Sequence, residues 1–560
     1  MINTVKHFLG FGQCNPREGT TIVINSEKLE RRVALLEDGV LEEYSIEREG
    51  EDNIVGGIFK GRVKNIEPGL KAMFVDIGYE KNAFLHFWDA LPLALDSSLE
   101  EIQREGRPRK KQKKITSKDI PDIYPIGSEI MVQVTKGPIS SKGPRVTTNI
   151  SLAGRYIVLM PFTDQFGISR KIDDPKERQR LRQIVQKLNV PEGMGIIMRT
   201  VAQGQRFRHF VRDLAMLLTQ WREVEEKFAT NPAPMCVYRE PDLIERTARD
   251  FLTDNVDNIV CDNLETTQRM QEIAGKISRR SKRHIQYHQY RQPIFEELGI
   301  EKQINEAFQR QVLLPCGGYL VIDETEALIA IDINTGRNKG NKDLDKTILE
   351  TNLESAREIA RQLRLRNIGG LVVVDFIDMR HRKDQMAVYK AMKDALKRDK
   401  AKTQVMQITP IGLMEMTRQR INESLLDYVN DHCPYCHGRG RVKSVMTMSV
   451  EIQRQLKATI MRYRDNVGDM IVVVNSDVLS RFKNEDAKLL MELERQCAGR
   501  LIFRSDPSIH REAFAILNPA NNNKPLFQVN MSAPPPFPPP GAYPPRKRAV
   551  FVCTFSLISL

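Results

Sequence analysis

The chain has 560 residues, too many for one hydrophobic core, and length alone predicts about three to five domains. Hydrophobic residues make up 41% and charged residues 28%, the proportions of an ordinary globular protein. Lys and Arg number 85 against 72 Asp and Glu; the resulting +13 favours a polyanion, nucleic acid before anionic membrane.

The first residues, Met1 to Gly19, lack the apolar stretch of a signal peptide. The apolar run Ala549 to Leu560 is too short to cross a bilayer. Of eight cysteines, only two are close neighbours, which points to a reducing cytoplasm rather than a disulfide framework. Short strands are expected at Thr21–Asn25, Arg32–Leu36 and Leu41–Ile46. From Ile54 the pattern becomes a small all-β unit, with strands at Gly57–Val63, Ala72–Gly78, Asn82–Leu85, Glu129–Thr135 and Arg145–Ile150. Five short strands with glycine-marked turns suit an OB-fold barrel. The insertion Leu91–Pro125 interrupts it and carries the basic cluster Arg107–Lys114, which reads as a solvated mobile loop with general attraction for RNA.

Residues 150–245 mix short strands with helices, for example Asp174–Leu188 and Asp213–Lys227, and residues 245–310 read as largely helical and basic. From Gly317 to Thr409 the order is hairpin, helix, strand, helix, strand, a compact α/β layer. The helix Asp343–Arg366 places Leu344, Ile348, Leu353, Ala356, Ile359, Ala360 and Leu363 on one face, and Gly369-Gly370 stops it. A smaller α/β unit follows to about Gln528, then the polyproline stretch Ser532–Pro540.

Two apolar runs in this layer end in aspartate: Ala327–Asn334, through Asp332, and Leu371–Asp378, through Asp375. Alternation puts Leu328, Ala330, Asp332 and Asn334 on one strand face, and Leu371, Val373 and Asp375 on another. A β-α-β path makes the strands parallel and brings both aspartates to the same end of the sheet. Two carboxylates with an amide nearby form an oxygen-rich site suited to magnesium, and to phosphodiester hydrolysis. The competing reading is that each aspartate only caps a turn. The following loop, Thr335–Lys342, is glycine-rich and basic but resembles no nucleotide-binding motif; its Arg337, Lys339 and Lys342 either meet phosphates or are plain loop charges.

Cys433-Pro-Tyr-Cys436-His437-Gly-Arg-Gly440 admits a redox, a haem-attachment and a zinc reading, besides two buried cysteines close by chance, which the spacing argues against. Gly438 and Gly440 would end the helix that a redox motif needs, and haem attachment needs export. Half of a zinc site remains, completed by His432 or His437 or, more economically, by the same motif of a second chain.

Ile331–Asn334, Thr351–Glu354, Arg361–Arg366, Gly369–Met379, Glu415–Arg420 and Cys433–Gly440 together closely resemble the ribonuclease E/G family of bacterial endoribonucleases, over about residues 20 to 445. The resemblance implies an RNase H-like subdomain in two segments (20–52 and 245–307), after an N-terminal extension of residues 1–19. An S-one-type OB-fold (53–148, with insertion 91–125) and a 5′-sensor (149–244) interrupt that subdomain. A DNase I-like catalytic domain (308–429), a zinc link (430–442), a small α/β dimerisation domain (443–528) and a Pro-rich tail (529–560) follow. It further implies magnesium-dependent cleavage of single-stranded, AU-rich RNA with preference for a 5′-monophosphate, in rRNA and tRNA processing and mRNA decay. Asp332 and Asp375 become the magnesium ligands, and Asn334 orients the attacking water or the phosphate. Cys433 and Cys436 become zinc thiolates shared between chains of a homodimer or tetramer. Arg199 and Thr200 bind the terminal phosphate, with Val158, Gly154 and Arg170 adjoining. Phe74, Phe84 and Lys142 form the RNA-binding face of the barrel, barrel core being the competing place for either phenylalanine.

The sequence departs from the family pattern at the enlarged barrel insertion, at Pro410 in Thr409-Pro-Ile-Gly412 where a basic residue often stands, and in its short tail, which favours a ribonuclease G-like enzyme. A non-catalytic RNA-binding scaffold is the alternative from another class; a deoxyribonuclease leaves the barrel and sensor without purpose.

Overall fold

The computed structural model describes residues 19–529 apart from 51–53, 92–98, 103–118, 139–142, 173, 252–255, 278–283, 290–291, 326, 337–343, 421–423, 432 and 464–467. Lys142, the loop cations Arg337, Lys339 and Lys342, the cluster Arg107–Lys114, His432 and the polyproline stretch lie outside the described residues. Two compact units divide the chain, Met1–Val429 and Asn430–Leu560. No described helix is long and apolar enough to cross a membrane.

Within the first unit, one sheet joins remote stretches. Thr20–Ser26, Glu30–Glu37 and Val40–Arg48 form an antiparallel meander. Asn258–Cys261 then pairs in parallel with Thr20–Ser26, and Ile285–Tyr287 with Asn258–Cys261. The expectation of a largely helical 245–310 is corrected here: Asn258-Ile-Val-Cys261 is wholly buried and too short for periodicity to separate strand from helix.

The five expected barrel strands form and close. Ile58–Glu67, Ala72–Asp76 and Ala83–His86 run antiparallel, Arg145–Thr147 follows in parallel, and Glu129–Lys136 returns to pair with Ile58–Glu67. That closed order is the OB-like one. Met73, Val75, Ala83 and Leu85 fill its interior. Lys60 is buried beneath the barrel, and its Nζ donates to the carbonyls of Phe228 and Asn231 at 2.9 Å each. A cation at a helix C-terminus is favourable, and it ties the barrel to the helix Phe207–Thr230.

A third sheet has the order Leu152–Ala153, Ile157–Pro161, Met194–Met198, Phe166–Ser169, Leu99–Ile102. Its last strand comes from the barrel insertion, so part of the stretch expected as a loop is an edge strand antiparallel to Phe166–Ser169. The carboxylate of Glu100 there is bonded by Arg178 and Arg182 of the helix Pro175–Lys187. The next helix begins at Phe207 rather than at Asp213. Aspartate normally marks a helix start, but Asp213 is buried in mid-helix and serves the sheet instead.

The α/β layer follows the expected order. Its six strands run Gln311–Leu313, Tyr319–Glu324, Leu328–Asn334, Gly370–Asp375, Leu413–Arg418, Thr403–Val405. The helices Leu344–Leu365 and Arg382–Ala395 cover one face through Ala356, Ile359, Leu363, Val388 and Met392. Leu344, expected on the packed side, is 67% exposed in the first turn. Asn367 (φ 50°), not Gly369, supplies the left-handed residue that ends the longer helix, and Ile368 N–H reaches back to Leu363 O at 3.1 Å. Gly369 has a different cause: a Cβ there would lie 2.7 Å from Arg420 Cα.

The second unit packs the helix Val445–Arg462 and two shorter helices on a four-stranded sheet. Its order is Leu501–Ser505, Met470–Val474, Phe514–Asn518, Lys524–Val529, with the first pair parallel and the others antiparallel.

Candidate active site

The two aspartates meet. Leu328–Asn334 and Gly370–Asp375 pair in parallel with Asp332 directly opposite Asp375. Both strands alternate: Ile329, Ile331, Ile333, Val372 and Val374 are buried toward the helices, while Asp332 and Asp375 stand exposed on the other face. Adjacent strands lie about 4.8 Å apart, so two unit charges at that spacing repel by about 0.9 kcal/mol even in water. Among the described residues neither carboxylate is paired with a Lys or Arg within 4.0 Å. Asn334 Nδ2 donates to Asp332 Oδ2 at 2.7 Å, which fixes that carboxylate and leaves its other oxygen outward.

The two carboxylates and the Asn334 amide offer hard oxygen donors. No group of three or more His, Cys, Asp and Glu side chains gathers among the described residues as an ion cage. A two-carboxylate face fits magnesium, which keeps waters and takes its other ligands from a phosphate.

The strand-ending segment after Asp375 is held by a residue that the sequence reading left unassigned. Asn352, fully buried in the long helix, donates through Nδ2 to Ile377 O at 2.8 Å and accepts from Ile377 N–H at 3.2 Å. Its buried neighbours on the helix include Thr351 and Ser355 as well as Ala356 and Ile359, so the amide did not stand out in the sequence. On the neighbouring strand, Arg418 and Asp399 form a buried pair, 5% and 2% exposed at their side chains, with Nε–Oδ2 at 2.7 Å. Arg418 Nη1 also donates to Ile368 O at 2.7 Å, so the pair is fully bonded where it is buried. Past Asp375 the exposed run Arg380-His-Arg-Lys383 offers cations at the same end of the sheet.

The residues that the resemblance assigns to a terminal phosphate come together in the third sheet. Arg199 N–H donates to Tyr156 O, and its Nη1 donates to Gly154 O at 2.6 Å. Val158 lies opposite Ile197, one strand across. Ile168 lies opposite Met198 in the parallel strand, so the chain leaves the sheet at Arg170 beside Arg199 and Thr200. Among the described residues Arg170 bonds none of them; it and Thr200 are exposed.

Two aspartates that sequence reasoning missed organise this pocket. The Asp213 carboxylate accepts N–H groups from Arg155, Tyr156 and Ile157 at 3.1, 2.8 and 3.0 Å. Burial pushes its acid up, and those three bonds partly offset the shift. A Cβ on Gly154 would lie 2.8 Å from both Asp213 oxygens and from Ile157 O, so only glycine fits. Asp250, from the helix Leu243–Phe251, accepts from Arg199 Nη2 at 2.9 Å and also pairs with Arg249, which reaches Glu240 at 2.7 Å. Burial alone would raise the Asp250 acid, but the Arg249 and Arg199 guanidinium groups hold it below the usual carboxylate range. Two arginines and two carboxylates make this cluster neutral.

On the barrel, Phe74 and Phe84 are direct cross-strand partners with ring centroids 5.9 Å apart in an edge-on arrangement. Both are half-buried and alternate with the interior residues, so they lie on the outer surface and not in the barrel core. His86 extends the row, 6.4 Å from Phe84.

In the second unit, Cys433 and Cys436 sit on one tight turn, and neither is in a disulfide. His437 N–H donates to Cys433 O at 2.8 Å, Gly440 N–H donates to Cys436 Sγ at 3.3 Å, and His437, Gly438 and Gly440 all have positive φ. N–H donors from Cys436 and Tyr435, with the Cys436 thiol, hold the Cys433 thiol below its ordinary range. Tyr435 anchors the turn: its ring lies 4.1 Å from that of His510, and its carbonyl accepts from His510 Nε2 at 2.7 Å. The turn precedes the helix Val445–Arg462.

The family model described as "Ribonuclease E/G family" matches residues 151–421, and that described as "RNase E/G, Thioredoxin-like domain" matches residues 432–519. The chain is 37% identical to ribonuclease G of Escherichia coli (strain K12) over 496 residues, 89% of this chain and 99% of that protein. It is 37% identical over 502 residues to ribonuclease G of Haemophilus influenzae, again across 89% and 99% of the two chains. Ribonuclease E of E. coli K12 is 37% identical over 492 residues, 85% of this chain but 44% of that protein. The chain belongs to the ribonuclease E/G family. Its near full-length correspondence is with the ribonuclease G proteins, which bears out the resemblance stated from the motifs.

Proposed function

We propose that this chain is an endoribonuclease that hydrolyses internal phosphodiester bonds of single-stranded, AU-rich RNA with magnesium held by Asp332 and Asp375, and that it favours RNA with a 5′-monophosphate, in rRNA and tRNA processing and mRNA decay. The observation that carries this reading is the register of Asp332 opposite Asp375 on an exposed sheet face, with Asn334 bonded to one of them. Bound there, magnesium would polarise the scissile phosphate and lower the pKa of an attacking water. Asp332 and Asp375 supply the negative oxygens that hold the ion against a polyanionic substrate. Asn334 keeps a carbonyl and a second N–H free to orient that water or a phosphate oxygen. Asn352 positions the backbone after Asp375, and Arg380, Arg382 and Lys383 attract the strand.

Arg199, with donors left after its bonds to Gly154 and Asp250, and the exposed Thr200 hydroxyl receive the terminal phosphate. Phe74 and Phe84 offer stacking surfaces for bases, a contact of about 1–3 kcal/mol per base. Cys433 and Cys436 hold half of a zinc site, completed by a second chain.

Incubating the protein with 5′-monophosphorylated, AU-rich single-stranded RNA gives internal cleavage that requires magnesium and disappears in Asp332→Asn and Asp375→Asn. Binding without cleavage at every magnesium concentration would make the chain an RNA scaffold instead. Zinc at about half an atom per chain supports the shared site; one atom per chain contradicts it.

A further inference from the structure

We propose that the first turns of the helix Phe207–Thr230 form a docking rung for single-stranded RNA just downstream of its 5′ end, with Phe207 as a base platform and Arg206, Arg208 and Arg212 as phosphate contacts. This rests on the reading of RNA as substrate and of Arg199 as the terminal-phosphate contact.

The local sequence works against its own helix. Arg206 stands at the N-cap without a capping bond, Arg208 follows in the first turn, and no acidic residue is in that turn. Cations there oppose the helix dipole, and Arg208 with Arg212, four residues apart, add like-charge repulsion. Nearby, Arg178 and Arg182 share Glu100, Arg180 has Glu177, and Arg199 and Arg249 share Asp250. Among the described residues no carboxylate lies within 4.0 Å of Arg206, Arg208 or Arg212. The one side-chain bond in this group is from Arg208 Nε to His209 Nε2, at 3.4 Å. All three are exposed, and so is Phe207, at 41%. An exposed aromatic among uncompensated arginines is complementary to a strand of stacked bases and phosphates.

Position fits the 5′ end. The inner side of this helix carries the pocket: Asp213 holds the Arg155–Ile157 backbone, Phe210 packs on Tyr156 at 5.8 Å, and His209 stacks on Tyr156 at 6.0 Å. Tyr156 O in turn accepts from Arg199 N–H. The Arg199 cluster is charge-balanced, so the positive excess beside it comes from the helix turn. Burial, followed by the positive charges of Arg208, Arg155, Arg212 and Arg206, holds His209 below the ordinary imidazole range.

The test measures binding of 5′-monophosphorylated RNA to the full chain in an Asp332→Asn background, comparing a decanucleotide with a dinucleotide. In the triple variant Arg206→Ala, Arg208→Ala, Arg212→Ala the slope of log K against log salt for the decanucleotide falls by about 2, from three phosphates at about 0.7 each. Phe207→Ala weakens decanucleotide binding by about tenfold. Dinucleotide binding, which needs only the pocket, is unchanged in both, and Arg222→Ala on the same helix changes neither ligand. In the Asp332→Asn parent, saturating decanucleotide moves the His209 imidazole titration upward. An unchanged salt slope, or equal loss of both ligands, overturns the docking rung while leaving the ribonuclease reading intact. An Asp332→Asn parent that binds neither RNA overturns both.

Discussion

Removing the Asn352 side chain tests whether the backbone after Asp375 is held from the helix behind it. Asn352→Ala deletes two bonds to Ile377 and strands its partly buried N–H and C=O. Each lost bond is worth about 1 kcal/mol, and an unsatisfied buried group raises that to about 1–3 kcal/mol. Together they destabilise the segment by about 2–4 kcal/mol. A chain of several domains has no single unfolding free energy, so the measurement is local: hydrogen exchange of the amides from Gly370 to Met379. At 1.4 kcal/mol per tenfold, opening becomes about thirty- to seven-hundred-fold more frequent. RNA affinity stays within about twofold while the cleavage rate falls at least tenfold, because Asp375 is misplaced. Asn352→Asp keeps an acceptor for Ile377 N–H; ionised, it cannot donate to Ile377 O, but protonated at acidic pH it can, and there it falls between wild type and alanine. Wild-type exchange and cleavage in Asn352→Ala would refute the positioning argument.

Arg418→Ala leaves Asp399 charged and buried, and lowers local stability by about 3–5 kcal/mol, read as early loss of structure in the 366–418 layer on urea titration. Gly154→Ala forces the 2.8 Å clash with Asp213, so cleavage of 5′-monophosphorylated RNA falls toward that of 5′-hydroxyl RNA while the hydroxyl rate is kept. Asp250 is an acid held low: its ion pairs contribute stability above the unfolded aspartate pKa near 3.9 and lose it only as pH falls through the lower folded value. Between pH 5 and 8 the 5′-phosphate preference then follows the phosphate alone, with one step near about 6. A second step in that window, abolished by Asp250→Asn, would contradict this reading.

The Asp332–Asp375 pair was legible because two alternating strands flank one helix, a path that fixes both face and direction. Its support was not: Asn352 reads as a polar interruption until its partner, Ile377, is folded beside it. Phe74 was undecidable for a related reason. Met73, Phe74 and Val75 are all apolar, so alternation gives no clue to which side is the interior. Asp213 was misread because a helix-starting residue type sits mid-helix, bonded to a backbone that is remote in sequence. The strand Leu99–Ile102 was missed because its partner, Phe166–Ser169, comes only after the last two barrel strands in the chain.

The sheet that joins residues 20–48 to 258–287 also sets an order of assembly. Thr20 N–H bonds the Asp257 carboxylate across 237 residues of chain. At about 5–20 residues per second of synthesis, Thr20–Ser26 waits on the order of ten to fifty seconds for its parallel neighbour. In that interval one edge of a nearly all-buried strand is uncovered, while the closed barrel encoded between the two segments can already be complete. The nascent chain is therefore most open to mispairing before the ribosome reaches Asn258, and it is there that a chaperone or a slowed codon would have the most to protect.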